Sequence, residues 1–224
     1  NMNTLKKYII FSTFALFSAG VWAEKVITLT NGEWPPYVSE NLKHYGVASH
    51  IVSEAFALEG ITVKYVFLPW KRAYAEAESG KYNGSLVWSR RTDREESFYF
   101  SDTLITGQSV FFHLKSFSFN WQSYDDLVDL AIGGSLGYVY KIQGHPRIKI
   151  KRAPSDDMNF KKLLVGRIDI FPSDVDAGYS TINAHLTPEK ANLITHHPRA
   201  YNVAYYQLIL SKKIEKNILK LLIS

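Results

Sequence analysis

Several residues of this chain have types and spacings that could do chemistry. Gly133-Gly134-Ser135-Leu136-Gly137 spells G-x-S-x-G, the spacing of a nucleophile elbow, and Asp174 with His185 or His196 follows in the chain order of a serine hydrolase. Arg94 stands among Arg90, Arg91, Asp93, Glu95 and Glu96. Its guanidinium offers a planar fork of donors that matches a carboxylate in two parallel bonds, although such a charged run by itself reads as solvated surface. Trp34, Tyr37, Trp70 and Trp88 fall at strand ends or loop starts. Aromatic faces there can bury an aliphatic stem or attract a cation. His196-His197 has no third ligand at a recognisable spacing, so no metal site is expected. The hydrolase reading leaves Arg94 and the tryptophans without a role.

The elements that must position these residues alternate between strand and helix, which predicts an α/β fold with mostly parallel sheets. Lys25–Thr30, Thr62–Phe67 and Gly84–Trp88 read as strands. Between them lie helical stretches over Val47–Leu58, ended by Gly60, and Trp70–Ser79, opened by Pro69 and ended by Gly80. The second half repeats the plan. Strands are expected at Leu130–Gly133, Ile148–Arg152 and Ile168–Phe171, with helices from Tyr138 and from Ser155 to Val165. Ser155 can cap the latter, with Asp156 and Asp157 in its positive first turn. Gly80-Lys81-Tyr82-Asn83 and Gly166-Arg167-Ile168-Asp169 both set Gly-x-x-Asn/Asp between a helix and a strand, an internal echo that suggests two similar lobes.

Apolar stretches Ser109–Leu114 and Val203–Leu210 flank the second half and predict a double-stranded hinge of the kind that absorbs backbone change during closure. The expected domains are a signal peptide over 1–23, lobe one over 24–111 plus 206–224, and lobe two over 112–205. Lys6 and Lys7, the apolar run Tyr8–Gly20 and Val21-Trp22-Ala23 make the export signal, with cleavage after Ala23. That apolar run is shorter than the roughly 20 residues a membrane span needs. The chain has no cysteine, so neither disulfides nor a lipid-attachment thiol are expected. A formal charge of +5, scattered without a basic block, makes nucleic acid a poor partner.

The sequence resembles the periplasmic solute-binding proteins of polar amino-acid ABC transporters over most of its length. The resemblance rests on Trp34-Pro35-Pro36-Tyr37, Pro69-Trp70-Lys71-Arg72-Ala73, Arg91-Thr92-Asp93-Arg94, Phe100-Ser101-Asp102, Ile132-Gly133, Gly137-Tyr138-Val139-Tyr140 and Asp169 through Asp174, in that order. It implies a two-lobed, type II Venus-flytrap fold with two hinge crossovers. It also implies a monomer that binds an amino acid or similar small carboxylate in the interlobe cleft. Arg94, six residues before Phe100-Ser101, would bind the ligand carboxylate. Gly137 and Tyr138, at an expected strand-to-helix junction, would complete that recognition from lobe two through free amides and the helix dipole. Asp174 would accept from the α-ammonium group, and Trp34, Tyr37, Trp70 and Trp88 would supply the aromatic walls. No cofactor and no catalysis are implied. The implied setting is a periplasm, the implied partner an inner-membrane ABC permease, with a stand-alone or sensory binder as the alternative. Two departures concern ligand choice. Asn31 stands where relatives often have an acid, and Asn83 replaces a common Asp. Relatives also carry a further helical stretch after the one expected around Ile214, Ile218, Leu221 and Leu222.

Overall fold

The computed structural model describes residues 25–214. The expected export signal and the carboxy-terminal apolar helix beyond Ile214 lie outside the described residues. In the first half, β1 (Lys25–Asn31) runs parallel to β2 (Ile61–Phe67), with α1 (Val47–Leu58) as the crossover. Ile27 and Leu29 of β1 are buried with Val52 and Phe56 from one stripe of α1. The next helix, α2 (Trp70–Glu78), follows Pro69, and β3 (Gly84–Ser89) then joins the free side of β1. A single turn, α3 (Thr92–Glu95), leads into β4 (Phe98–Leu114).

The second half has a small parallel pair, β5 (Ile132–Ser135) and β6 (Ile150–Ala153). It continues with α4 (Asp156–Leu164), β7 (Phe171–Asp174), α5 (Val175–His185), α6 (Pro188–Ala191), β8 (Ile194–His196) and β9 (Asn202–Ser211). β4 and β9 tie the halves together. They pair antiparallel from Phe98 opposite Ser211 to Ser109 opposite Asn202. From Ser109 onward β4 pairs with β7 and then β8. One curled sheet in the order β2-β1-β3-β9-β4-β7, with β8 also on β4, therefore runs through the molecule.

Each half keeps its own core. Ile27, Leu29, Val52, Phe56, Leu86 and Leu208 pack together in the first, while Phe112, Phe160, Leu163 and Phe171 pack in the second. Phe111, Trp121, Ile132 and Ile170 form a further cluster beside the latter.

The Gly-x-x-Asn/Asp echo has a structural cause. Gly80 and Gly166 take φ of +82° and +66°, the left-handed conformation a glycine adopts without a Cβ penalty. In both places the next amide reaches back five residues, Lys81 N–H to Glu76 O and Arg167 N–H to Lys162 O, closing the helix end. Two residues further on, the polar side chain splices into the first strand of its half. Asn83 donates its N–H to Thr28 O at 2.9 Å and accepts from Thr28 N–H at 2.8 Å. Asp169 does the same with Ala131, both bonds measuring 2.7 Å.

That splice corrects the sequence-based strand limits. Ile168 and Asp169 belong to the joint, so the ladder begins only at Phe171, with Ile170 contributing an isolated bridge to Ile132. The strands expected at Leu130–Gly133 and Ile148–Arg152 likewise begin two residues later. The helix expected from Tyr138 is not formed. Gly137 to Tyr140 is a turn and loop, followed by a single 3-10 turn over Lys141–Gly144. Gly144 and Pro146 leave too few residues for an α-helix, and His145, before the proline, is held extended at φ −80°, ψ 125°.

Candidate functional site

A cleft of about 370 Å³ opens between the halves, lined by Trp34, Trp70, Val87, Trp88, Ser89, Arg94 and Tyr206 on one side and Gly137 and Tyr138 on the other. A smaller chamber of about 160 Å³ shares Trp34, Tyr138 and Tyr206 with it and is also bounded by Asp156, Ser173 and Asp174. The structure thus gathers Arg94, Trp34, Trp70, Trp88, Gly137 and Tyr138 at one opening, with Asp174 in the adjoining chamber.

Arg94 is separated from its charged neighbours by pairing. Arg90 bonds Glu95 at 2.5 Å and Arg91 bonds Asp93 at 3.0 Å, whereas no carboxylate among the described residues lies within 4.0 Å of the Arg94 guanidinium. The α3 turn swings Arg94 inward instead. Its Nη1 donates to Ser89 O at 2.7 Å and Ser89 Oγ at 3.1 Å, and its guanidinium carbon lies 4.9 Å from the Trp88 ring centroid. Burial, and then the nearby Arg91 charge, pull its pKa below the ordinary arginine value. This is a half-buried cation without a counter-ion among the described residues, and it remains charged at any physiological pH.

The aromatic wall is braced from beneath. One extra residue is inserted in β3 between Ser85 and Trp88, where the register against β9 shifts. Val87 at this bulge has φ +63°, a conformation costing about 1–3 kcal/mol for a residue with a Cβ. Such a bulge re-aims the side chains that follow it, here Trp88 and Ser89. Trp88 Nε1 donates to Ser85 Oγ at 2.8 Å, and Ser85 Oγ donates to Thr30 O at 3.0 Å. Trp70 meets Trp88 edge-on at 5.4 Å and covers Gly32 so closely that a Cβ there would lie 2.2 Å from the indole. Trp34 packs against Tyr206 at 5.0 Å.

Tyr37 does not line the cleft, contrary to expectation. Its ring lies beneath Trp34, 4.7 Å away, and its hydroxyl crosses to the other half, 2.9 Å from both Asp174 Oδ1 and Asp176 Oδ2. Asp174 is 8 % exposed and is the N-cap of α5, accepting from Asp176 N–H and Ala177 N–H at 3.1 Å each. All these contacts fall on Oδ1, and Oδ2 is buried without a hydrogen-bond partner. Burial pushes the Asp174 carboxyl above its ordinary pKa.

Gly137 and Tyr138 reach the cleft, but not as a helix terminus. Without that helix the dipole argument lapses. The Leu136 N–H is taken by Ala153 O and the Tyr138 N–H by Ser135 O, while the N–H groups of Gly137 and Val139 have no partner among the described residues. Gly137 has φ +83°, and Arg152, which the sequence reading missed, clamps the turn by donating to Ser135 O at 2.7 Å and Tyr138 O at 2.8 Å. Val87, Ser89, Tyr206 and Asp156 were also missed. Of these, Tyr206 alone had a signal, its place in the return hinge strand.

Ser135 ends β5 at 2 % exposure, with no helix after it. Its hydroxyl donates to Asp156 and accepts from Asn159 Nδ2 at 3.1 Å, and His196 Nδ1 is engaged with the Tyr179 hydroxyl at 2.8 Å. The nucleophile-elbow geometry is therefore not built.

The sequence matches no protein-family model and no curated protein. Solved structures share the fold. A histidine kinase sensor domain with similarity to periplasmic binding proteins superposes with a TM-score of 0.68 at 15 % identity, over 88 % of this chain and 87 % of its own. The ligand-binding core of GluR0 from Nostoc punctiforme, in complex with L-glutamate, gives 0.66 at 18 % identity, over 88 % and 91 %. An ancestral arginine-binding protein bound to arginine gives 0.65 at 18 % identity, over 88 % of each chain. The chain has the two-lobed α/β fold of periplasmic binding proteins.

Proposed function

We propose that this chain is a solute-binding protein that closes on an amino acid or similar small carboxylate between lobe one (24–111 plus 206–224) and lobe two (112–205). The observation that carries this reading is Arg94, a half-buried guanidinium with no acidic partner among the described residues, at the edge of an aromatic-walled cleft of about 370 Å³. A carboxylate there gains charge-assisted bonds from a donor set already fixed by Ser89 and Trp88. Trp34, Trp70 and Trp88 cover the stem of the ligand, and Gly137 N–H and Tyr138 meet it from lobe two. A ligand touching both lobes binds the closed form better than the open one, so it shifts the population toward closure.

The protein is proposed to act after export to the periplasm, as a monomer delivering its ligand to an inner-membrane ABC permease. The sensory role is the second reading, favoured by the likeness to a histidine kinase sensor domain. Calorimetry of the mature protein against amino acids and small carboxylates tests the binding reading, and an amino acid is expected to bind more tightly than the amine that lacks its carboxylate. Reconstitution with a candidate permease separates the two roles, since delivery requires ligand-stimulated ATP hydrolysis and sensing does not.

A further inference from the structure

We propose that lobe two carries a second anion site, outside the interlobe cleft, in which Arg199 over Trp121 holds a small carboxylate with an aromatic body. The site goes beyond the binding proposed at Arg94 and stands on different residues.

A space of about 340 Å³ opens on lobe two beside Trp121, Gln122, Ser123, Tyr124, Arg199 and Tyr201. It shares Tyr201 with the smaller chamber and no residue with the larger cleft. Trp121 is 4 % exposed and meets Phe111 edge-on at 5.2 Å, so the indole under Arg199 is held by the core. The Arg199 guanidinium carbon lies 4.5 Å from the Trp121 ring centroid. Its Nη1 donates to Gln122 O at 2.9 Å, with longer contacts to Gln122 Oε1 at 3.4 Å and Trp121 O at 3.5 Å. All of its side-chain hydrogen bonds among the described residues are made by Nη1, and no carboxylate among them lies within 4.0 Å of the guanidinium. The remaining edge, formed by Nε and Nη2, is a planar fork that takes a carboxylate in two parallel bonds.

The arrangement repeats, on other residues, the one at Arg94. There too Nη1 is tied to a backbone carbonyl, Ser89 O at 2.7 Å, and the guanidinium lies over an indole, Trp88 at 4.9 Å, beside a space of similar size. The acids that follow Tyr124 are engaged elsewhere. Asp126 Oδ2 accepts from the N–H groups of Gln122 and Ser123 at 2.8 Å each, and Asp125 holds Arg147 at 2.6 Å. Tyr124 and Tyr201 add aromatic surface to the walls, and Tyr201 is itself fixed by stacking on Phe111 at 4.6 Å. Such walls favour an aromatic carboxylate over a bare inorganic anion. Arg199 is exposed where Arg94 is half-buried, so water competes more strongly and the affinity here is the lower of the two.

The test is an amide NMR titration with benzoate and with benzamide, its uncharged counterpart, on the mature wild-type protein, Arg94→Ala and Arg199→Gln. Benzoate is expected to shift the Gln122, Ser123 and Tyr124 amides saturably in the wild type and equally in Arg94→Ala, whereas benzamide leaves them in place. Arg199→Gln should weaken benzoate at these amides about tenfold or more, as for loss of a hydrogen bond to a charged group. Absence of a saturable benzoate shift would overturn the site, as would an equal response to benzamide or an Arg199→Gln protein that binds benzoate as tightly as the wild type. Shifts that vanish in Arg94→Ala would also overturn it, because they would then originate in the cleft. The comparison of benzoate with benzamide needs no variant, so it decides even where Arg199→Gln fails to fold. Failure of the carboxylate reading at Arg94 would leave the response at Gln122 and Ser123 in place, so the two sites stand or fall separately.

Discussion

The two lobes are built on the same joint and present different surfaces to the cleft. In each, a glycine-ended helix hands over to a strand through an Asn or Asp that bonds the first strand of its lobe. In lobe one the cleft face is then fixed by packing: Trp70 against Gly32, Trp88 held by Ser85, and Val87 strained at a bulge. In lobe two it is a short loop with Tyr138 at 51 % and Val139 at 92 % exposure, secured chiefly by Arg152. The joint is common to both lobes, while the segments beside it differ. Lobe one presents a packed aromatic platform, and lobe two presents Asp156, Asp174 and the Gly137–Tyr138 lip.

The strongest way to break this comparison is at the platform. A Cβ at Gly84 would lie 2.2 Å from Ile209 O, a backbone atom of β9 that cannot rotate aside. Gly84→Ala should cost about 3 kcal/mol in denaturant unfolding. At Gly137 a Cβ meets nothing within 4 Å, and only the positive φ is at stake. Gly137→Ala should cost about 1–2 kcal/mol. Equal costs would contradict the assignment of packing to lobe one and conformation to lobe two.

The joint itself can be probed next. Asp169→Ala removes an acceptor on the Ala131 N–H and should cost about 2 kcal/mol, and Asn83→Ala, its lobe-one counterpart, about 1 kcal/mol, because bonds to charged groups are stronger. A loss confined to one of them in urea unfolding would mean that the echo is coincidental.

Much of this was legible in the sequence. Gly80 and Gly166 as helix stops, the Gly-x-x-Asn/Asp echo and the paired hinge stretches all follow from local chemistry, and the structure carries them in β4, β9 and the two joints. The inward turn of Arg94 was not legible from its charged surroundings. It depends on Arg90 and Arg91 finding Glu95 and Asp93, a pairing that spacing leaves open. The Tyr138 helix was misread because a strand followed by glycine resembles a helix start until Gly144 and Pro146 are weighed. The interlobe placement of Tyr37, 137 residues from Asp174, has no local signal at all.

Smaller effects sharpen the contrast at the lobe boundary. Tyr37→Phe removes the bridge to Asp174 and Asp176 and should cost about 1 kcal/mol, with a more open average shape by small-angle scattering. An unchanged scattering profile would show that the bridge does not bias closure. The smallest effect is a pH slope. Burial makes Asp156 and Asp174 titrate above their ordinary value of 3.8 in the folded protein. The native state therefore holds more protons than the unfolded chain between that value and the raised ones. Their contribution makes stability rise as pH falls through the raised values, with no further gain below 3.8. Asp156→Asn should raise the unfolding midpoint at pH 7 and flatten that slope, and a lowered midpoint with the slope intact would show that the buried charge is not destabilising.

The most direct test of the central claim is calorimetry of wild type and Arg94→Ala with the tightest-binding carboxylate from the panel. Loss of a charge-assisted contact of this kind predicts a fall in affinity of about 100-fold or more with the fold intact by circular dichroism. An Arg94→Ala protein that binds the carboxylate as tightly as the wild type would contradict the account.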